Sequence, residues 1–118
     1  MKNILFVLSK PPHSGAYLQE TLDTVITAAA FDQEVNLLFL DKAVFQLKKH
    51  QQLSDTGLKD TAPIFKALPF YNIQDFYVET ESLLENGLSA ESLNESVKLI
   101  SRNQIGIFLK QFNLLLNC

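Results

Sequence analysis

The residue best placed for chemistry stands in the stretch FYVETESLLENGL, where Glu79 follows a short aromatic and β-branched run. The run Phe76 to Val78 predicts a strand, and Asn86-Gly87 is typical of the end of a following helix. Glu79 is therefore expected at the carboxyl end of a strand, where open α/β sheets place their ligands. A carboxylate there can act as an acid/base catalyst, start the next helix, or replace another functional residue.

Three other candidate sites have less suitable residues or spacing. His13 and Ser14 can be interpreted as a base and a nucleophile, but adjacent residues rarely face each other productively and no orienting carboxylate is evident. Asp41 ends the predicted second strand, where capping of the next turn is favoured because the first strand offers no acidic partner. The two histidines are far apart and lack paired carboxylates at ligand spacing, so no metal site is expected.

The single cysteine, Cys118, excludes an intrachain disulfide and a cysteine-rich metal site. The preceding segment FNLLLN supplies no cation or helix N-terminus that would lower a thiol pKa, so a catalytic role for Cys118 is not favoured. The loop SKPPHSG contains one glycine and two prolines, and each proline removes a backbone donor. A phosphate-binding loop is therefore not favoured there, and no cofactor is expected.

Apolar runs alternate with segments of helical periodicity along the chain. Strands are predicted at NILFVLS, EVNLLFLD, IQDFYV, SVKLIS and NLLLN, and helices at AYLQETLDTVITAAAFD, KAVFQL, GLKDTAPIFKALPFY, TESLLENGL and RNQIGIFLKQ. The polar segment KKHQQLSDT predicts a loop. This order predicts an α/β fold of three layers, α/β/α, with a mostly parallel five-stranded, doubly wound sheet. Residues 1–118 are expected to form one domain.

The composition argues against several classes of function. A net charge of -3 and a pI of about 5.3 argue against an extensive nucleic-acid interface, which needs clustered Lys and Arg. No apolar stretch approaches the roughly 18 residues of a membrane span, and the cysteine usage favours a cytoplasmic protein. A mean hydropathy of +0.06 is high for so small a surface and suggests buried subunit contacts.

The stretch KNILFVLSKPPHSGAYLQETLDTVITAAAFDQEVNLLFLDKAVFQL resembles the first half of the DsrE/DsrF-like sulfur-relay proteins, and among them the TusC (DsrF-like) subunit type. FKALPFYNIQDFYVETESLLENGL is similar to a later part of the same family. The resemblance is carried by Pro12-His13, Ser14-Gly15, Val44 to Leu47, Tyr71 to Ile73, Ser82-Leu83 and Gly87-Leu88.

The resemblance implies a DsrE-like, flavodoxin-like fold and assembly with TusB-like and TusD-like subunits into a heterohexamer, a dimer of heterotrimers. The family's D-type subunit accepts sulfur as a cysteine persulfide, and a TusE-like carrier receives it from the complex. The pathway ends in 2-thiolation of the wobble uridine of tRNA. No direct contact with nucleic acid or with a membrane is implied for this chain.

Counted back from Gly87, Glu79 matches the family's sulfur-carrying cysteine. A carboxylate cannot carry a persulfide, because the relay needs a thiolate. The resemblance therefore implies a structural subunit that is not catalytic by itself, with His13, Phe45 and Lys48 as candidate interface or pocket residues. Two alternatives stay open: a stand-alone small α/β enzyme with Glu79 as acid or base, and a flavodoxin-like or receiver-like binding module.

Overall fold

The computed structural model of this protein describes residues 3–10, 17–31, 33–47, 68, 73, 75–93 and 97–117. These ranges contain a five-stranded sheet in which every neighbouring pair of strands is parallel. The strands are β1 (Asn3–Leu8), β2 (Glu34–Phe39), β3 (Phe76–Glu79), β4 (Lys98–Ile100) and β5 (Leu114–Asn117). Their order is β4-β3-β2-β1-β5. The predicted parallel α/β fold is confirmed.

Helices connect the strands. Within the described ranges they are α1 (Tyr17–Ala30), α2 (Thr80–Glu85), α3 (Ile105–Leu109) and three 3-10 helices, Asp41–Leu47, Ala90–Ser92 and Arg102–Gln104. The helix predicted at RNQIGIFLKQ is therefore a 3-10 turn followed by a short α-helix. The helix predicted at GLKDTAPIFKALPFY and the loop predicted at KKHQQLSDT lie outside the described residues, apart from the buried Leu68.

Side chains of β1 alternate between two apolar clusters, one on each face of the sheet. Ile4, Phe6 and Leu8 pack in the larger cluster, which also contains Leu22 and Val25 of α1. The smaller cluster contains Leu5 and Val7 together with Leu38 and with Phe108 of α3. Because helices cover both faces, β1 needs apolar residues at every position from Ile4 to Leu8, which explains its continuous apolar run.

Two strands are shorter than the apolar runs that predicted them. The run IQDFYV begins at Ile73, whereas β3 begins at Phe76, and the Ile73 N–H donates to the Leu68 carbonyl oxygen at 3.3 Å. In the run SVKLIS, β4 consists of Lys98–Ile100, and the described Val97 precedes it. β4 and β5 are the edge strands, and Leu99, Leu114 and Leu115 are exposed there.

The end of α2 has the geometry that its glycine predicts. Gly87 has a φ of 72°, the left-handed region, and its N–H donates to the Leu84 carbonyl oxygen at 3.1 Å. The N–H of Leu88 donates to the Leu83 carbonyl oxygen at 2.8 Å, which completes a Schellman motif. Both Leu83 and Leu88 are buried in the larger cluster, so the motif fixes the end of α2 against the core.

Candidate functional site

The candidate site lies at the carboxyl ends of β3 and β4, which meet at one edge because the strands are parallel and Glu79 pairs with Ile100. Glu79 is the last residue of β3 and immediately precedes α2. Only 8% of its side chain is exposed. A buried carboxylate is stable only when opposite charge and hydrogen-bond donors compensate for the lost water.

Arg102 and Ser82 supply that compensation at a single oxygen of Glu79. Oε1 accepts hydrogen bonds from Arg102 Nε at 3.0 Å, from Arg102 Nη2 at 2.8 Å and from Ser82 Oγ at 2.7 Å. Arg102 opens the 3-10 helix that follows β4, whereas Ser82 lies in the first turn of α2. The buried charge therefore ties the end of β3 to the connection that follows β4.

Two further carboxylates of the same segment also bind Arg102. Glu85 accepts hydrogen bonds from Nη1 at 3.0 Å and from Nη2 at 2.7 Å, one on each of its oxygens. Glu81 Oε1 accepts the backbone N–H of Arg102 at 2.9 Å. We call Glu79, Glu81, Ser82, Glu85 and Arg102 the Arg102 cluster. Its guanidinium is bound along two edges, and its main chain is held as well.

Ser82 extends these interactions to the end of β2. Its Oγ accepts the N–H of Asp41 at 2.9 Å, and Asn86 Nδ2 donates to the Asp41 carbonyl oxygen at 3.2 Å and to the Ser82 carbonyl oxygen at 2.7 Å. Asp41 has a φ of 51°, which is uncommon for a residue other than glycine. Hydrogen bonds on both sides of this residue stabilise that backbone conformation.

The electrostatics of the cluster favour the charged form of two of its carboxylates, Glu79 and Glu85. Burial by itself would raise the pKa of Glu79, but the hydrogen bonds from Arg102 and Ser82, together with the charge of Arg102, hold that pKa below its ordinary value. The pKa of Glu85 is also lowered, chiefly by its hydrogen bonds with Arg102, and the pKa of Arg102 is raised by Glu85 and Glu79. A general acid or base at neutral pH needs a pKa near 7, which this environment does not favour for Glu79.

The structure places the other predicted residues as follows. Glu79 stands at the N-cap position of α2, but within the described residues its side chain accepts no hydrogen bond from the backbone of that helix, so it is not a side-chain cap. Phe45 is half-buried against the larger cluster, with Lys42 Nζ 5.7 Å from its ring centroid. His13, Ser14, Lys48 and Cys118 lie outside the described residues.

Sequence reasoning missed Arg102, Ser82 and Asn86. The signal for Arg102 was its place directly after the fourth apolar run, since the carboxyl ends of neighbouring parallel strands meet at one edge. Using that signal requires knowing that β3 and β4 are neighbours, which the sequence does not state. Ser82 and Asn86 look like ordinary helix-surface residues until the end of β2 is placed beside α2.

Other kinds of site find little support in the described ranges. No group of three or more His, Cys, Asp or Glu side chains there is arranged to hold a metal ion. An open hollow of about 230 Å³ beside α3 is lined by Ile100, Gln104, Ile107, Phe108 and Gln111, none of which is titratable. No helix in these ranges is long and apolar enough to cross a membrane. The Arg102 cluster is therefore the main candidate among the described residues.

Comparisons with known sequences give one family. The model of the DsrE/DsrF-like family matches residues 2–117. Protein TusC of Buchnera aphidicola subsp. Baizongia pistaciae is 33% identical over 118 residues, covering 99% of each chain, and a TusC homolog of Pseudomonas aeruginosa is 32% identical over 95% of this chain and 94% of its own. The intracellular sulfur oxidation protein DsrF of Allochromatium vinosum is 36% identical over 80% of this chain and 70% of its own.

Solved structures share the fold at lower sequence identity. The ychN protein from E. coli superimposes with a TM-score of 0.80 at 15% identity, and each chain is covered completely. MTH1491 from Methanobacterium thermoautotrophicum gives a TM-score of 0.71 at 14% identity, again over both full chains. At these identities the likeness establishes the fold alone.

Proposed function

This chain belongs to the DsrE/DsrF-like family, and we propose that it is a noncatalytic structural subunit of a TusBCD-type sulfurtransferase complex. Such a complex relays persulfide sulfur for 2-thiolation of the tRNA wobble uridine. The proposed partners are TusB-like and TusD-like subunits in a heterohexamer, with a TusE-like carrier as recipient of the sulfur. Relatives named TusC and DsrF support a role in sulfur relay.

The observation that carries the noncatalytic assignment is the state of Glu79. It occupies the strand end that the family resemblance assigns to a sulfur-carrying cysteine, and its carboxylate is held by Arg102 and Ser82. A carboxylate oxygen has no sulfane-sulfur chemistry, which requires a thiolate. The chain's single cysteine, Cys118, is the last residue of the sequence, far from the family motif.

Exposed apolar side chains support a role as a subunit. Phe31 at the end of α1 is 73% exposed and Ile107 on α3 is 68% exposed. The edge strand β5 carries the exposed Leu114 and Leu115. An open, apolar sheet edge is a liability in an isolated chain, and contact with another chain is one way to cover it.

Purification of the tagged chain from its own host, followed by native mass spectrometry, tests the assembly. We expect this chain in a complex with two other small chains of the same family in equal amounts, one of which bears a cysteine that can be persulfidated. Recovery of a homo-oligomer alone would contradict the proposed complex.

Removal of the thiol tests the noncatalytic assignment separately. In the assembled complex, Cys118→Ser leaves this chain with no cysteine, so it cannot carry sulfur as a persulfide. We expect transfer of labelled sulfur to the carrier to continue at the wild-type rate. Loss of transfer from a complex of unchanged mass would show that this chain takes part in the chemistry.

A further inference from the structure

The donors around Glu79 have the geometry of an anion-binding site. Three of them, Arg102 Nε, Arg102 Nη2 and Ser82 Oγ, lie within 3.0 Å of Glu79 Oε1. The Nε and Nη2 edge of a guanidinium presents two parallel N–H groups in a rigid plane, which suits an oxyanion or another compact anion. The Ser82 hydroxyl adds a third donor from a different element.

These donors are positioned by groups other than Glu79. Glu85 holds the Nη1 and Nη2 edge of Arg102 through two hydrogen bonds, and Glu81 binds its main-chain N–H. The Asp41 N–H donates to Ser82 Oγ, so the hydroxyl must direct its own hydrogen elsewhere, and it does so toward Glu79. We therefore expect these donors to keep their positions when the Glu79 carboxylate is removed.

We propose that Arg102 and Ser82 form a binding site for a compact, singly charged anion at the carboxyl end of β3, and that the Glu79 carboxylate is its built-in ligand. The class of external ligand is a small carboxylate or a thiolate-type sulfur anion. While Glu79 occupies the site, a sulfur anion of a partner cannot enter it. That consequence for sulfur rests on the proposed function, whereas the site itself rests on the geometry of this chain.

An ordinary ion pair would behave differently when its carboxylate is removed. Arg102 would then turn fully toward Glu85 or into solvent, which its side chain, 47% exposed, already reaches. No pair of donors would remain beside Ser82, and no anion would bind selectively. The two cases are distinguished by restoring an anion to a variant that lacks the Glu79 carboxylate.

The first test measures rescue of Glu79→Ala by acetate. Thermal unfolding is followed in sodium acetate and in sodium chloride at equal ionic strength. We expect acetate to raise the Tm of Glu79→Ala by roughly 3 °C more than that of the wild type, because a ligand of the folded state stabilises it. The added Arg102→Met substitution should abolish this difference.

Asp75→Ala is the matched control, because it removes a carboxylate from the exposed pair with Lys98. Acetate should not favour this variant over the wild type. An equal response of Glu79→Ala and Asp75→Ala to acetate would overturn the proposal.

A second variant decides the question if Glu79→Ala does not fold. Glu79→Cys, in a chain that also carries Cys118→Ser, places a single thiol at the site, and its pKa is read from alkylation rate against pH. The charge of Glu85, which also acts on position 79, is present both with and without Arg102→Met. We expect the pKa of the thiol to be roughly one unit lower with Arg102 present than after the added Arg102→Met substitution. This difference corresponds to about tenfold more thiolate at pH 7. Equal pKa values would overturn the proposal.

Both tests use the isolated full chain and need no partner. A failure of the proposed complex therefore leaves their outcome unchanged, and a failure of the anion site leaves the mass of the complex unchanged.

Discussion

Two ion pairs join the β3 and β4 segments at opposite ends, and they differ in nearly every physical respect. At the carboxyl end, Arg102 Nη2 lies 2.8 Å from Glu79 Oε1, and the Glu79 side chain is 8% exposed. At the amino end, Lys98 Nζ lies 3.2 Å from Asp75 Oδ1, with side chains 62% and 42% exposed. The same two segments thus carry one pair whose carboxylate is buried and one pair in which both side chains are exposed.

The difference shows that the buried charge lies at the carboxyl ends of β3 and β4. An exposed pair gains little, because water screens the charges and two side chains lose freedom. A buried carboxylate that loses its partner is left unpaired away from water, which is strongly destabilising. The Arg102 cluster is therefore the part of this edge in which single substitutions should matter most.

Arg102→Met should have the largest effect, because it removes two of the three donors to Glu79 and the only cation of the cluster. We expect the Tm to fall by roughly 10 °C, measured by circular dichroism at neutral pH. The added Glu79→Gln substitution removes the unpaired buried charge and should therefore recover part of the lost Tm. A Tm within about 2 °C of the wild type would show that water readily replaces the guanidinium.

Ser82→Ala should have the next largest effect. The substitution removes one donor to Glu79 and the acceptor of the Asp41 N–H, while Ser82 itself is fully buried. We expect a loss of about 1–2 kcal/mol in the free energy of unfolding, measured by urea denaturation. Ser9→Ala, at an exposed position directly after β1, is the control and should change it by less than about 0.5 kcal/mol.

The pH dependence of stability should report on Glu79. Its pKa is lower in the folded chain than the ordinary value of 4.5, so its contribution is complete above that value and is lost as pH falls through the folded pKa. The free energy of unfolding of the wild type should therefore decrease below about pH 4.5. Glu79→Gln should be less stable at pH 7 and should show a shallower decrease. Parallel curves for the two proteins would contradict a charged, stabilising Glu79.

Much of the fold could be predicted because its signals are local. Apolar runs marked the five strands, and Gly87 marked the end of α2 through the left-handed conformation that its Schellman motif requires. The start of β3 could not be predicted, because the apolar run reaches back to Ile73, whose N–H donates to the Leu68 carbonyl oxygen. That bond is a property of the folded chain and has no pattern in the sequence.

Of the candidate site, Glu79 could be predicted from the sequence and its partner Arg102 could not. Strand periodicity placed Glu79 at the end of β3, which the structure confirms. Its partner Arg102 is 23 residues away, and the two meet only because β4 lies beside β3 in the strand order. The choice between a helix cap, a catalyst and an ion pair depends on that neighbour, so no local pattern could make it.

Lys98→Met should have the smallest effect, and it sharpens the comparison because it removes a cation from the same two segments. Lys98 Nζ lies 3.2 Å from Asp75 and 5.5 Å from the Tyr77 ring centroid, but these contacts are exposed to solvent. We expect a Tm within about 2 °C of the wild type. A loss as large as that of Arg102→Met would mean that any cation holding β4 against β3 is important, whatever its burial. The unequal losses expected here would instead assign the effect of Arg102 to the buried Glu79 carboxylate.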